Sequence, residues 1–73
     1  MSRQETTSVM GKALRGAGIP FTVSEGLNGF YFTRITITGL SRARKAEKAV
    51  GAVIPSLKYI SKHNRDWAWT IYN

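Results

Sequence analysis

Apolar residues recur at helical spacing in two stretches of the chain. In the first, Val9, Met10, Leu14 and Ala17 form an apolar stripe with Ala13, which predicts an amphipathic helix. In the second, the apolar positions also share one helix face, and they are Ala43, Ala46, Ala49, Val50, Val53 and Ile54. A proline follows each stretch and cannot continue a helix. The pattern therefore predicts two helices separated by about twenty-five residues.

Polar residues mark where these helices begin. Thr6 is a plausible N-cap of the first helix, and Ser2 and Glu5 also have the spacing of a capping box, which would start the helix earlier. Ser41 is the predicted N-cap of the second helix, and Leu40 before it is placed as a hydrophobic staple would be.

The residues between the helices predict a β-hairpin. Ile19, Phe21 and Val23 alternate with polar residues, and residues 31–38 are rich in aromatic and β-branched types. Asn28-Gly29 marks the turn between the two strands.

The length of this turn decides which side chains share a face of the hairpin. A two-residue loop would put Val23 on the face of Arg34, whereas a three-residue loop, Leu27-Asn28-Gly29, puts it with Ile35 and Ile37. We expect the three-residue loop with glycine in a left-handed conformation, because strand register follows the buried pattern.

A second hairpin is predicted after the second helix. Its strands are residues 57–61 and 67–72, and residues 62–66 connect them. The chain then reads αββαββ. We expect a single small α+β domain over residues 1–73, with a four-stranded, mainly antiparallel sheet and two helices on one face.

Short repeats suggest an internal αββ duplication. Gly16-Ala17-Gly18-Ile19-Pro20 recurs as Gly51-Ala52-Val53-Ile54-Pro55, an offset of 35, and Phe30–Thr33 resembles Trp67–Thr70 at an offset of 37. The repeats would be residues 6–38 and 41–73. The alternative stays open: the two helices end alike simply because a proline stops both.

The preferred register leaves aromatic residues on the outer face of the sheet. Phe30, Phe32 and Arg34 would point away from the helices, where bases can stack on aromatic rings and arginine can meet phosphate. Residues 29–34 resemble the aromatic strand of RNA-recognition and cold-shock sheets in their Gly-Phe-x-Phe core. The preceding basic residue is missing, Tyr31 replaces a usually small residue, and αββαββ is not the RNA-recognition order. Packing on the loop tip or in a dimer interface is the equal alternative.

The tryptophans pose the same question on the last strand. Trp67, Trp69 and Ile71 share one face, and burial of three large side chains would contribute several kcal/mol at ~25 cal/mol per Å². The duplication would instead align both tryptophans with the outward phenylalanines. We expect Trp67 and Trp69 in the core and Tyr72 on the outside.

Positive charge is concentrated in the later part of the chain. The 73 residues include 11 Lys and Arg against 4 Asp and Glu, a net charge of +7. Arg42, Arg44 and Lys45 fall near the start of the second helix, where the macrodipole disfavours cations by ~0.3–1 kcal/mol each. A bound phosphate would reverse that preference. A solvated helix face is the alternative, although such faces usually mix signs.

Composition excludes several other classes of function. The chain has no cysteine and a single histidine, His63, so disulfides and a His/Cys metal cluster within one chain are excluded. No apolar run is long enough for a membrane span, and the first residues do not form a signal peptide, so we expect a cytoplasmic protein. The four acids are scattered, without a catalytic pair, so we expect no enzyme and no cofactor. A core this small leaves homodimerisation as a further source of stability.

These observations predict a small nucleic-acid-binding protein that takes DNA or RNA. The candidate binding residues are Arg34, Arg42, Arg44, Lys45, Lys48, Lys58, Lys62, Arg65, Phe30 and Phe32. The alternative is a protein-interaction module or inhibitor, of the kind that phages encode, which binds an acidic surface of a host or viral protein.

Overall fold

A computed structural model of the chain describes residues 1–26 and 32–72. The elements are α1 (Arg3–Gly16), β1 (Thr22–Gly26), β2 (Phe32–Ile37), α2 (Leu40–Val53), β3 (Ser61–His63) and β4 (Asp66–Tyr72). The strands form an antiparallel sheet in the order β1-β2-β4-β3, which confirms the predicted α+β fold. Within the described ranges, no helix is both long and apolar enough to cross a membrane.

The predicted capping box begins α1. The Ser2 hydroxyl accepts a hydrogen bond from the Glu5 backbone N–H at 3.1 Å, and the Glu5 carboxylate accepts one from the Ser2 N–H at 3.5 Å. The helix ends where Gly18 takes a φ of 70°, and the Ile19 N–H bonds back to the Leu14 carbonyl at 2.9 Å. Glycine suits this left-handed position because it has no Cβ.

The predicted N-cap of α2 is wrong by two residues. Gly39 is the N-cap, with a φ of 94°, and Ser41 lies inside the helix; no side chain caps this end. The positive φ of Gly39 turns the chain from β2 into α2, a conformation that residues with a side chain rarely adopt. Leu40 is therefore helical and 51% exposed, not a staple.

The first hairpin has the predicted faces but a different register. Val23 pairs with Ile35, so the apolar side chains do share a face, as expected. Gly26 pairs with Phe32, whereas a three-residue loop requires Gly26 opposite Phe30, so the predicted register is wrong by two residues. A slip of two keeps every side chain on its face, and hydrophobic patterning alone cannot detect it. The loop itself lies outside the described residues.

The second hairpin is shorter than predicted. Its turn is Asn64-Arg65, and Asn64 takes a φ of 57°, which asparagine tolerates well. The predicted strand over residues 57–61 is wrong, because Pro55–Leu57 forms one turn of 3₁₀ helix and β3 begins at Ser61. The Leu57 carbonyl accepts a hydrogen bond from the Trp69 indole N–H at 2.9 Å, so it is satisfied without a strand partner.

Both helices pack on one face of the sheet, and the core lies between the helices and that face. It contains Met10 and Leu14 from α1, Ala43, Ala46 and Val50 from α2, and Ile35, Ile37, Trp69 and Ile71 from the two central strands. Trp69 is 4% exposed and Trp67 is half-buried against the same core, which confirms the predicted inward face of β4. Phe32 and Tyr72 lie on the opposite, outer face.

Candidate functional site

A close approach between α2 and the segment before β3 creates an open groove. At Gly51, an added Cβ would lie 2.9 Å from the Cβ of Lys58 and 3.1 Å from its Cα, so only glycine leaves room for this contact. The approach brings Lys58 and Tyr59 beside Arg44 and Lys48 of α2. We call the resulting surface, lined by Arg44, Lys48, Lys58 and Tyr59, the basic groove; its volume is about 380 Å³.

One acid, Glu47, also lines the basic groove. Its carboxylate accepts a hydrogen bond from the backbone N–H of Ile60 at 2.9 Å. This bond ties α2 to the start of the second hairpin and gives the Glu47 charge a structural partner. Within the described part of the chain, Arg44, Lys48 and Lys58 form no ion pair. The groove thus carries three cations and one engaged acid.

Tyr59 is the aromatic residue of the basic groove, and it was missed among the sequence candidates. Its side chain is 75% exposed, and the Lys58 ammonium lies 5.3 Å from its ring centroid. Its position between Lys58 and Lys62 in the sequence could have indicated an aromatic residue within a basic binding surface. The prediction of a strand over residues 57–61 obscured it.

A second group lies on the outer face of the sheet. Phe32 and Tyr72 are opposite each other on β2 and β4, with ring centroids 6.2 Å apart in an edge-to-face arrangement. The Arg34 guanidinium lies 4.7 Å from the Phe32 ring centroid, and its Nε–H donates to the Thr70 hydroxyl at 3.2 Å. We call Phe32, Arg34 and Tyr72 the outer aromatic face.

The flatness of this face depends on the residue beside Phe32. On β1, Gly26 is the register partner of Phe32, and a Cβ added there would collide with the phenylalanine ring. The ring therefore covers the Gly26 backbone instead of standing away from the sheet. The outer aromatic face is thus a low platform, consistent with the outward direction predicted for Phe32.

The remaining sequence candidates are dispersed. Arg42 lines a small cleft with Phe21 and Thr36, on a different part of the surface from the basic groove. Lys45 is exposed on α2 outside the groove lining. Lys62 lies with its ammonium 4.9 Å from the Trp67 ring centroid, and Arg65 is exposed in the second turn. Phe30 lies outside the described residues.

The predicted cluster at the start of α2 is therefore divided by the helix. Successive helical residues point about 100° apart, and Arg42 and Arg44 line different surfaces. The first turn carries no acid, as its sequence implied, and no side chain caps it, contrary to the prediction for Ser41. The grouping that the structure does produce combines one side of α2 with the segment that precedes β3.

Metal chemistry has no support in the described ranges. No group of three or more His, Cys, Asp or Glu side chains there is arranged to hold a metal ion. Comparisons with protein-family models, curated proteins and solved structures found no match for the chain. The site's own geometry and charge are therefore the basis for a functional proposal.

Proposed function

We propose that the protein binds nucleic acid and that the basic groove contacts its phosphate backbone. The observation that carries this proposal is the convergence of Arg44, Lys48 and Lys58 on one groove that also holds an exposed tyrosine. Phosphates need cations that can approach in a group, and a strand of nucleic acid supplies them at regular spacing.

The charge arrangement supports an anionic ligand. Three cations that share a groove repel one another, and a surface selected only for stability would mix them with acids. Glu47 also lines the groove, but among the described residues its carboxylate accepts the Ile60 N–H bond and forms no ion pair with these cations. Phosphates in the groove would replace the missing counter-charges, with arginine offering a fork of donors and lysine a point charge.

Tyr59 supports a ligand that has bases as well as phosphates. Its ring is exposed beside the Lys58 ammonium, so it can stack on a base while the cations hold the flanking phosphates.

Binding should depend steeply on salt. We expect fluorescently labelled DNA and RNA oligonucleotides to bind at ~50 mM salt and to weaken strongly by ~200 mM, because counterions are released from each contacted phosphate. An anisotropy titration at several salt concentrations measures this slope. Absence of binding at the lowest salt concentration would rule the proposal out.

A matched pair of double variants tests the location. Arg44→Ala/Lys48→Ala and Lys12→Ala/Arg15→Ala each remove one arginine and one lysine from exposed helix positions. The first should weaken binding about 2- to 30-fold, at ~0.2–1 kcal/mol per exposed ion pair, and reduce the salt slope by about one unit per residue. The second should change affinity much less. Equal losses would mean that net charge alone matters and that the groove is not the site.

Glu47→Gln tests the groove in the opposite direction. Glutamine can still accept the Ile60 N–H bond but carries no charge, so affinity should rise about two- to fivefold, within the ~0.2–1 kcal/mol of an exposed charge pair. Poly-glutamate tests whether the basic groove binds nucleic acid or any acidic polymer. If poly-glutamate bound as tightly as an oligonucleotide of equal charge, an acidic protein surface would be the better candidate for the ligand of the groove.

A further inference from the structure

We propose that the outer aromatic face is a second, separate site for single-stranded nucleic acid, so that one protein molecule can hold two strands at once. This inference rests on the proposed function. The inference adds to that function a second binding site and the ability to bridge two nucleic-acid strands.

The outer aromatic face offers a cation held in position without a described counter-ion. The Nε–H of Arg34 donates to the Thr70 hydroxyl, and its guanidinium lies over the Phe32 ring. Within residues 1–26 and 32–72, the terminal amino groups of Arg34 have no hydrogen-bond partner or ion pair. They are therefore available to a phosphate or to the edge of a base.

The rings beside Arg34 favour an unpaired base as the ligand. Tyr72 is 68% exposed, and the Phe32 ring lies low over Gly26, so stacking partners can approach from outside the sheet. In a duplex the base faces are covered by neighbouring base pairs. The one described acid on this face is Asp66, which lies six residues along β4 from Tyr72, or about 20 Å at ~3.3 Å per residue.

The two sites lie on different sides of the sheet. Helices α1 and α2 cover the face of Ile35 and Trp69, and the basic groove is formed on that helical side. Phe32, Arg34 and Tyr72 belong to the other face. The molecule measures 31 × 26 × 19 Å, so a strand would have to pass around a sheet edge to reach both sites. Two short oligonucleotides can therefore bind together, one on each side of the sheet.

Native mass spectrometry with an oligothymidine hexamer tests this directly. We expect a monomer of the protein to carry two hexamers, and the Arg44→Ala/Lys48→Ala variant to bind one of the two about 2- to 30-fold more weakly. In that variant, Tyr72→Ala should weaken binding at the outer aromatic face about 5- to 150-fold, from the stacking of one base. Leu40→Ala is the control, because it removes an exposed apolar side chain that lines neither site and should leave the affinity of the outer aromatic face unchanged.

Several outcomes would overturn the second site. One hexamer per protein, bound more weakly by Arg44→Ala/Lys48→Ala, would leave the proposed function intact and end the bridging proposal. A homodimer that Tyr72→Ala converts to a monomer in sedimentation would assign the outer aromatic face to a second copy of the chain. No binding of any oligonucleotide would end both proposals. A hexamer duplex that bound the double variant as tightly as the single strand would exclude base stacking.

Discussion

Leu14 and Val50 occupy matching places in the two halves of the molecule, each fully buried in its helix. They are 36 residues apart, and the same offset relates other buried positions. The further pairs are Met10 with Ala46, Thr33 with Trp69, and Ile35 with Ile71. Each half also forms a helix followed by a hairpin, with the second strand of each hairpin at the centre of the sheet. The two halves thus share a layout of buried positions.

This offset differs from those of the sequence repeats, which are 35 and 37. An offset of 37 aligns Phe32 with Trp69, yet Phe32 lies on the outer face and Trp69 in the core. The sequence offset of 37 differs by one residue from the offset of 36 that relates the buried positions. A shift of one residue along a strand exchanges its two faces, so the sequence match does not pair structurally equivalent residues. A gene duplication over residues 6–38 and 41–73 stays a prediction.

The halves differ most at the starts of their helices. Helix α1 has a complete capping box and an acid in its first turn, whereas α2 has neither and carries Arg42 there. Residues 1–38 contain four Lys and Arg, and residues 39–73 contain seven. A shared buried pattern thus leaves the surface of each half free to differ. In the first half, polar surface residues stabilise the start of the helix, whereas in the second half the corresponding surface carries cations.

The largest expected effect is on stability, and it distinguishes Trp69 from Phe32, the two residues that the offset of 37 aligns. Trp69→Ala should reduce the free energy of unfolding by ~3–5 kcal/mol, because it empties a core site and leaves the Leu57 carbonyl without its indole donor. Phe32→Ala should reduce it by about 0.5–1.5 kcal/mol, the contribution of one aromatic pair. Urea denaturation measures both. Equal losses would mean that the two residues are equivalent after all.

An intermediate effect is expected at the helix starts. Ser2→Ala removes the N-cap of α1 and should cost about 1 kcal/mol, within the usual range of ~0.5–2 kcal/mol. Ser41→Ala should change stability by less than ~0.5 kcal/mol, because that hydroxyl caps nothing. Thermal unfolding of the two variants compares them. A larger loss for Ser41→Ala would restore it as the N-cap.

The smallest expected effect is a gain. Arg42→Glu places an acid in the first turn of α2 and should stabilise the protein by ~0.3–1 kcal/mol through the macrodipole. Lys45→Glu changes the charge equally but lies beyond the first turn, so it controls for the relief of net positive charge. If both variants gained the same stability, the helix start would have no special cost for cations.

Local rules predicted the parts of the fold that involve neighbouring residues. The capping box of Ser2 and Glu5, the inward face of Trp67 and Trp69 and the shared face of Val23 and Ile35 all follow from spacing along a helix or strand. The register of Gly26 and Phe32 did not follow, because a shift of two residues satisfies the same pattern. The start of α2 was misplaced because Ser41 has a favourable cap chemistry, whereas the chain turns into the helix two residues earlier, at Gly39.

The candidate site was less predictable than the fold. Arg44, Lys48 and Lys58 were all candidates, but nothing in their spacing indicated that they would meet while Arg42 and Lys45 would not. Their meeting depends on the contact between Gly51 and Lys58, and Tyr59 joins them only because residues 55–57 form a helical turn. Such contacts are set by packing between elements.

The αββαββ order, the faces of the strands and the excess of positive charge in the later half could all be predicted from the amino-acid sequence. These properties follow from side-chain periodicity and composition, which act over a few residues. The tertiary structure decided how that charge is divided. It brings three cations and a tyrosine to one groove on the helical side and places Arg34 over the Phe32 ring on the other, because the sheet separates the two surfaces.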